Sequence, residues 1–299
     1  MRGLFSFKME GMANPWKSTR LTLEMIKWEH SIFALPFALT GAVLAAGGWP
    51  RLPALCWIVV CMISARSAAM AFNRLIDARL DAVNLRTAMR ALPAGTLNSG
   101  FVAGFVLVSS GVFLLAAGML NRLTLELAPL TLAVLLAYSY MKRVTRWSHL
   151  VLGLSLGIPP SAAWIAVRGS LDPRIAVLSA AVLLWVGGFD VLYACQDFEH
   201  DRAAGLNSVP QAFGLVPAFW IARAMHLGML CLLLWLVRLF GLGPLALAGV
   251  GTVAALLLYE HSIISPRDLR RMNAAFFTLN GLISIAFFGF FAAAVLLHK

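Results

Sequence analysis

Long apolar runs separated by short polar connections dominate this chain. Each run is about 20 residues long, the length at which an α-helix crosses the hydrocarbon core of a bilayer. We therefore predict an all-α, polytopic membrane protein with nine transmembrane helices. The runs lie near residues 31–49, 53–76, 98–120, 123–141, 148–168, 174–196, 213–237, 242–263 and 274–297.

The composition agrees with this pattern. Hydrophobic residues make up 61% of the chain and charged residues only 12%. A soluble domain of this length would carry about twice that charged fraction, which argues against a large soluble core. Because no long linker or low-complexity segment interrupts the runs, we expect a single membrane domain over residues 1–299.

The formal net charge is +11, but the basic residues are dispersed along short connections, so we expect no nucleic-acid partner. When the N-terminal segment 1–27 is placed in the cytoplasm, most Lys and Arg residues fall on that side, as the positive-inside rule requires. The start of the chain has no continuous apolar run, and we expect no cleavable signal peptide. We predict a multi-pass protein of the plasma (inner) membrane.

Two acidic clusters are the candidate chemistry, because the four cysteines and six histidines show no metal-ligand spacing. Residues 73–81 continue the second apolar run, and residues 190–201 end the sixth. Side chains four positions apart share one face of a helix. Each cluster then presents three polar side chains on one face: Asn73, Asp77 and Asp81 in the first, and Asp190, Asp197 and Asp201 in the second. Glu199 points elsewhere.

Facing stripes of carboxylates suit Mg²⁺, which prefers oxygen ligands, retains waters and accepts phosphate oxygens. Two such stripes would hold Mg²⁺ with a diphosphate bridged between them, and both would open to the cytoplasm. The clusters begin the two longest inside connections, 77–97 and 197–212, whose turn residues would let them fold over the end of a helix bundle. The alternative is a set of interfacial salt bridges with Arg74, Arg79, Arg86 and Arg202.

The clusters resemble the paired aspartate-rich motifs of the UbiA superfamily of intramembrane aromatic prenyltransferases. The first reads Asn-Arg-x-x-Asp-x-x-x-Asp, and the second reads Asp-x-x-Tyr-Ala-x-x-Asp-x-x-x-Asp. Segments 27–37, 66–73 and 86–95 are similar to the 4-hydroxybenzoate branch. The resemblance implies nine transmembrane helices around a central cavity, with a Mg²⁺-dependent diphosphate site under cytoplasmic cap loops.

Three features depart from the branch pattern. Arg74 stands where many relatives have Asp, and segment 205–208 lacks a Lys that some 4-hydroxybenzoate enzymes carry. Gln196-Asp197 and segment 205–210 look closer to a branch that includes the futalosine-pathway menaquinone prenyltransferases. The acceptor is therefore left open between 4-hydroxybenzoate and a naphthoate-type acid.

The family chemistry implied is transfer of a polyprenyl group from its diphosphate to a ring carbon of an aromatic acid, in ubiquinone or menaquinone biosynthesis. Mg²⁺ would neutralise the departing diphosphate. Exclusion of water would protect the allylic cation from capture. The implied Mg²⁺ ligands are Asp77, Asp81, Asp197 and Asp201. The expected partners are polyprenyl diphosphate, a small aromatic acid and membrane lipid.

Three further polar residues near the motifs have two interpretations each. Asn73 would ligate the metal through its amide oxygen or hydrogen-bond a ligand carboxylate. Asp190 would be a ligand or would orient a Lys or Arg from an opposing helix. Tyr193 would face the cavity or pack against other aromatic rings.

The basic candidates also have two interpretations. The resemblance implies that Tyr138 and Lys142, at the end of the fourth run, contact diphosphate; an ordinary positive-inside flank is the alternative. Arg66 lies inside the second run and needs a partner, either a substrate carboxylate, a diphosphate or a buried acid. Arg86 and Arg90 would clamp phosphate or be ordinary loop charges. We assign no catalytic role to His30.

Two other functions are compatible with acids in a membrane protein. An ion-coupled secondary transporter would carry them near the bilayer midplane between inverted repeats. Here both clusters end even-numbered runs, so the two halves point the same way. A Mg²⁺-dependent enzyme with another acceptor, such as a haem, a chlorophyll side chain or a glycerol phosphate lipid, would share the metal site.

Overall fold

The computed structural model describes residues 31–84 and 86–297, together with positions 21, 22, 24 and 26. Of the predicted N-terminal segment 1–27, only those four positions are described. Residues 27–30 of the entry segment, His30 among them, lie outside the described residues. The only extended pairing within these ranges is an isolated bridge between Ser265 and Asp268.

Nine apolar helices account for most of the described residues, and the all-helical prediction is confirmed. Eight of them are long and apolar enough to cross a membrane, and α1 is shorter over its described part. The helices are α1 Ser31–Ala46, α2 Leu52–Val83, α3 Ser99–Leu120, α4 Arg122–Val144, α5 Ser148–Arg168, α6 Ile175–Ala194, α7 Leu215–Phe240, α8 Gly243–Ile263 and α9 Asn280–Leu297.

Close backbone packing places α5 between α1 and α6. A Cβ at Gly153 in α5 would overlap the carbonyl oxygen of Leu183, and one at Gly157 would lie 2.7 Å from the carbonyl oxygen of Ser179. Gly41 in α1 meets the carbonyl of Pro160 in the same way. Small residues at these crossings let helices approach where lipid provides no hydrophobic driving force.

The core lies around α6, the most deeply buried helix. Trp185 is fully buried in α6, and its ring lies 4.9 Å from that of Phe37 in α1. Phe37 stacks in turn on Phe287 of α9 at 4.8 Å. This aromatic contact joins the first, sixth and ninth helices at the centre of the bundle, so the end of α6 is fixed relative to α9.

The helix α2 continues seven residues past the predicted span. It contains 32 residues, which corresponds to about 48 Å of helix, whereas the hydrocarbon core is about 30 Å thick. The carboxylates of Asp77 and Asp81 therefore lie on the last turns of a continuous helix. The connection after α2 begins at Asn84, not at position 77 as predicted.

The second acidic cluster crosses a helix end. After α6 ends at Ala194, a 3₁₀ turn covers Cys195–Asp197 and a short helix covers Phe198–Ala203. A second short helix, Val209–Phe213, precedes α7. The backbone N–H of Asn207 donates to the carbonyl oxygen of Lys142 at 2.7 Å, which ties this connection to the end of α4.

Candidate active site

One cavity of about 900 Å³ lies at the end of the bundle where α2, α4 and α6 terminate. The connection 84–98 and the segment before α9 complete its wall. Every predicted site residue except Arg66 lines this cavity: Asn73, Asp77, Asp81, Arg86, Tyr138, Lys142, Asp190, Tyr193, Asp197 and Asp201. Arg74 and Arg90 line it as well, and exposed Glu199 does not.

The first motif is held by hydrogen bonds from an amide and two arginines. The Asn73 amide donates to Asp77 Oδ2 at 2.9 Å, and Arg143 of α4 donates to Asp77 Oδ1 at 2.9 Å. Arg90 donates to both oxygens of Asp81, at 2.7 and 2.8 Å. Asn73 thus hydrogen-bonds Asp77 through its amide nitrogen, and its role toward a metal stays a prediction. The part played by Arg143 was not predicted.

The second motif is held by an arginine from the other half of the chain. Arg86 donates from Nε to Asp197 Oδ1 at 2.9 Å and from Nη2 to Oδ2 at 2.6 Å. Its Nη1 also donates to the Tyr193 hydroxyl at 3.3 Å. Burial lowers the pKa of the Arg86 guanidinium, but the hydrogen bond and charge of Asp197 raise it above its ordinary value.

The motif carboxylates pair with arginines, but mostly not with those of the alternative interpretation. Among the described residues, Arg86 is the one member of that set that pairs with a motif carboxylate, and the other two partners are Arg90 and Arg143. Arg79 is exposed and does not line the cavity. Sequence spacing could not identify these pairs, because Arg143 and Asp77 lie 66 positions apart.

Asp190 contacts a histidine, and not the Lys or Arg that one of its two interpretations required. His149 Nδ1 lies 2.7 Å from Asp190 Oδ2, and His149 Nε2 accepts the backbone N–H of Val209 at 3.2 Å. Because Nε2 is the acceptor, the proton is on Nδ1 and is donated to Asp190. His149 is fully buried in the first turn of α5. A polar residue at the start of an apolar helix was the only signal in the sequence.

Asp201 is the carboxylate best suited to receive a cation. Its residue is 2% exposed, and Oδ2 is buried without a hydrogen-bond partner in the described part of the chain. A buried carboxylate oxygen in that state is costly unless a cation or donor reaches it. No group of three His, Cys, Asp or Glu side chains within the described ranges could hold a metal alone. The carboxylate oxygens of the two motifs are ligands of the type that a hard cation prefers, with water and phosphate oxygens in the rest of its shell.

Arg66 lies deeper than the other candidates. It is one turn before Met70, which lines the cavity, and its Nε is buried without a hydrogen-bond partner among the described residues. No ion pair joins it to an acid in the same part of the chain, so the predicted alternative of an internal pair is not found.

The sequence and the fold match one protein family. The model of the UbiA prenyltransferase family matches residues 34–293. A 4-hydroxybenzoate octaprenyltransferase from Vibrio cholerae is 32% identical over 254 residues, covering 84% of this chain and 88% of that protein. One from Aliivibrio fischeri is 30% identical over 275 residues, covering 91% and 94%.

Solved structures support the same assignment. An apo UbiA homolog from Aeropyrum pernix is 31% identical, with a TM-score of 0.80 and coverage of 88% of this chain and 96% of that one. A UbiA homolog from Archaeoglobus fulgidus, bound to DMAPP and Mg²⁺, has the same fold with a TM-score of 0.72 at 17% identity, covering 92% and 98%. The chain belongs to the UbiA prenyltransferase family.

Proposed function

We propose that this protein transfers a polyprenyl group from its diphosphate to a ring carbon of an aromatic acid, either 4-hydroxybenzoate or a related quinone precursor. The observation that carries the proposal is the convergence of both aspartate motifs and several arginines on one cavity. The names of the curated relatives support 4-hydroxybenzoate as the acceptor. The positive-inside pattern supports a cavity that opens to the cytoplasm from the plasma (inner) membrane.

The carboxylates that would hold Mg²⁺ are Asp77, Asp81, Asp197 and Asp201. When bound, the ion would neutralise the negative charge that develops on the departing diphosphate. The partnerless oxygen of Asp201 supports this assignment, as does the position of all four side chains on one cavity.

Arginines that now contact carboxylates would change partners on substrate binding. Arg86, Arg90 and Arg143 each hold one motif carboxylate in this structure. A guanidinium binds phosphate with the same forked geometry that it uses for carboxylate. We therefore assign these arginines to the diphosphate. Lys142 and Tyr138 line the same wall and would contact it from α4.

The acceptor would bind below the diphosphate. Arg66, which has no acid partner in the described ranges, would take its carboxylate. In the reaction the allylic carbon–oxygen bond breaks and its electrons leave with the diphosphate. A ring carbon then bonds to the allylic carbon, and the ring loses a proton. We assign Asp190, whose carboxylate accepts the N–H of His149, to receive that proton.

Water must be kept from the allylic carbon during this reaction. The two connections at the end of the bundle, 84–98 and 204–214, are the cap segments in this proposal, within a single domain spanning the chain. Asn207 is tied to α4 through Lys142, and Arg86 ties the first connection to Asp197. The Asn207 contact would hold its connection over a bound donor, and Arg86 would reach the diphosphate from the first connection.

The test uses purified protein in lipid nanodiscs with radiolabelled prenyl diphosphate and Mg²⁺. 4-Hydroxybenzoate and a hydroxynaphthoate compete as acceptors, and EDTA is the control. We expect a C-prenylated aromatic acid that disappears with EDTA. Absence of any prenylated aromatic product with an active donor would overturn the proposal. An ion-coupled transporter would carry its acids near the bilayer midplane. The motif acids lie instead at the ends of α2 and α6, which argues against this alternative.

A further inference from the structure

The segment before α9 contains one π-helical turn, Ala275–Leu279, which the sequence pattern did not predict. A π-turn contains an extra residue, so it rotates the preceding segment by about 100° relative to the helix that follows. Such turns are rare and occur frequently at functional sites. The rotation changes the direction of Phe276 and Phe277, whose side chains line the cavity.

Asn280 stabilises the π-turn from inside the protein. It is fully buried, and its Nδ2 donates to the carbonyl oxygen of Phe276 at 3.2 Å. Its Oδ1 accepts the indole N–H of Trp185 at 3.0 Å. Trp185 is itself fully buried in α6. The amide therefore links the π-turn to the helix that carries the second aspartate motif.

The rotation places two consecutive rings beside Tyr193. The Phe276 ring lies 4.2 Å from Tyr193 and 4.8 Å from Phe277, and Phe277 lies 6.3 Å from Tyr193. All three rings line the cavity, and we call them the aromatic cluster. The Arg86 guanidinium, which holds Asp197, lies 5.6 Å from the centre of the Tyr193 ring.

The aromatic cluster borders the part of the cavity assigned to diphosphate. The group covalently next to the diphosphate is the allylic carbon and the first isoprene unit. Aromatic faces are apolar, exclude water and attract positive charge. They suit a carbon that becomes electron-deficient as its bond to oxygen lengthens, whereas the carboxylates nearby suit the metal and the leaving group.

We propose that the aromatic cluster binds the first isoprene unit of the donor, and that Asn280 is a positioning residue that keeps Phe276 there by stabilising the π-turn. This inference rests on the proposed function, because it takes a prenyl diphosphate as the donor. Phe276, Phe277 and Tyr193 touch the substrate in this arrangement, while Asn280 acts only through the backbone carbonyl of Phe276.

The test compares two probes on the full chain in nanodiscs with Mg²⁺: dimethylallyl S-thiolodiphosphate, which does not react, and inorganic diphosphate. For Phe276→Leu we expect about tenfold weaker binding of the thiolodiphosphate, because its uncharged dimethylallyl group loses the apolar contact with the ring face. Binding of inorganic diphosphate should change by less than about twofold. Phe291→Leu is the matched control, because Phe291 is buried in α9 outside the cavity lining. It should leave the ratio of the two dissociation constants unchanged.

Asn280→Ala tests positioning through a double-mutant cycle. Asn280→Ala should shift the ratio of the two dissociation constants as Phe276→Leu does. The double variant should shift this ratio little further, because both substitutions remove the contact between the Phe276 ring and the donor. Equal weakening of both probes, or additive shifts, would overturn the inference while leaving the proposed function intact. Wild-type protein that fails to bind the thiolodiphosphate would instead overturn the proposed function, and this inference with it.

Discussion

The two aspartate motifs are alike in sequence and different in structure. The first lies on one uninterrupted helix, α2, and its acids are held by Asn73, Arg90 and Arg143. The second runs from α6 through a 3₁₀ turn into a short helix, and its acids have dissimilar partners. Asp197 is held by Arg86, whereas Asp201 keeps an oxygen without a partner in the described part of the chain.

This structural difference indicates that the two motifs have different tasks. A continuous helix fixes the spacing of its carboxylates, while a helix end lets backbone and side chains adjust. The connection after α2 joins the motifs, because Arg90 contacts the first and Arg86 contacts the second. We infer that the first motif is the rigid half of the diphosphate site. The second is the half whose backbone adjusts when metal and donor enter.

The largest expected effect comes from neutralising Asp197. Asp197→Asn keeps the shape but removes a charge assigned to the metal and the partner of Arg86. We expect prenyl transfer to fall by about a hundredfold to a thousandfold, as when a group stabilising transition-state charge is lost. The measurement is the turnover rate with radiolabelled donor at saturating Mg²⁺.

Glu199→Gln is the matched control for that variant. Glu199 is an exposed acid two residues further along, outside the cavity lining. Its turnover should equal that of the wild type. Turnover near the wild-type value in Asp197→Asn would show that the second motif does not hold the metal, and the comparison between the motifs would lose its chemical meaning.

The next effect tests whether Arg86 links the motifs. Arg86→Lys keeps a positive charge but loses the fork that holds both oxygens of Asp197. We expect kcat/KM to fall roughly tenfold to a hundredfold, the equivalent of about 1.5–3 kcal/mol for a charged hydrogen bond. Arg79→Lys, at an exposed position of α2 outside the cavity, should change nothing. If both variants behave alike, Arg86 is an ordinary loop charge.

The sequence predicted the membrane helices and the acidic stripe of α2 because each depends on local periodicity. The second cluster was predicted on one face of a single helix and instead crosses a helix end. Runs of about 20 apolar residues correspond to helices, and residues four apart share a face. The end of α2 was predicted too early, at 76, because the polar residues after Phe72 interrupt the apolar run but not the helix. The length and polarity of an apolar run therefore predict where the chain crosses the membrane better than they predict where the helix ends.

Local sequence patterns could not predict the contacts between distant segments. His149 meets Asp190 across 41 positions, and Asn280 meets Trp185 across 95. Neither His149 nor Asn280 is part of a motif, and each lies at the start of an apolar helix. Their partners are set by how α5, α6 and α9 pack. A buried polar residue without a local partner predicts that some contact exists, but it does not predict which one.

Substitution of His149 should have a smaller effect, and it should affect only the second motif. His149→Leu leaves Asp190 and the Val209 N–H without their partner, and a buried unpaired group costs about 1–3 kcal/mol. We expect a lower melting temperature and slower turnover. His149→Gln offers both a donor and an acceptor and should recover part of each loss. If both variants lose melting temperature and turnover equally, the shape of the side chain at position 149 matters and its hydrogen bonds do not.

The smallest expected effect falls on the first motif. Asn73→Ala removes one donor to Asp77, whose other oxygen still accepts from Arg143. A hydrogen bond to a charged group is worth at least about 1.5 kcal/mol, and because Arg143 still pairs with the same carboxylate we expect a change at this low end, about tenfold in kcat/KM. Because α2 is continuous, the spacing of Asp77 and Asp81 should survive the substitution. The Mg²⁺ concentration for half-maximal activity should therefore shift little. A loss as large as that of Asp197→Asn would show that Asn73 contacts metal or substrate, and that the first motif is no more rigid than the second.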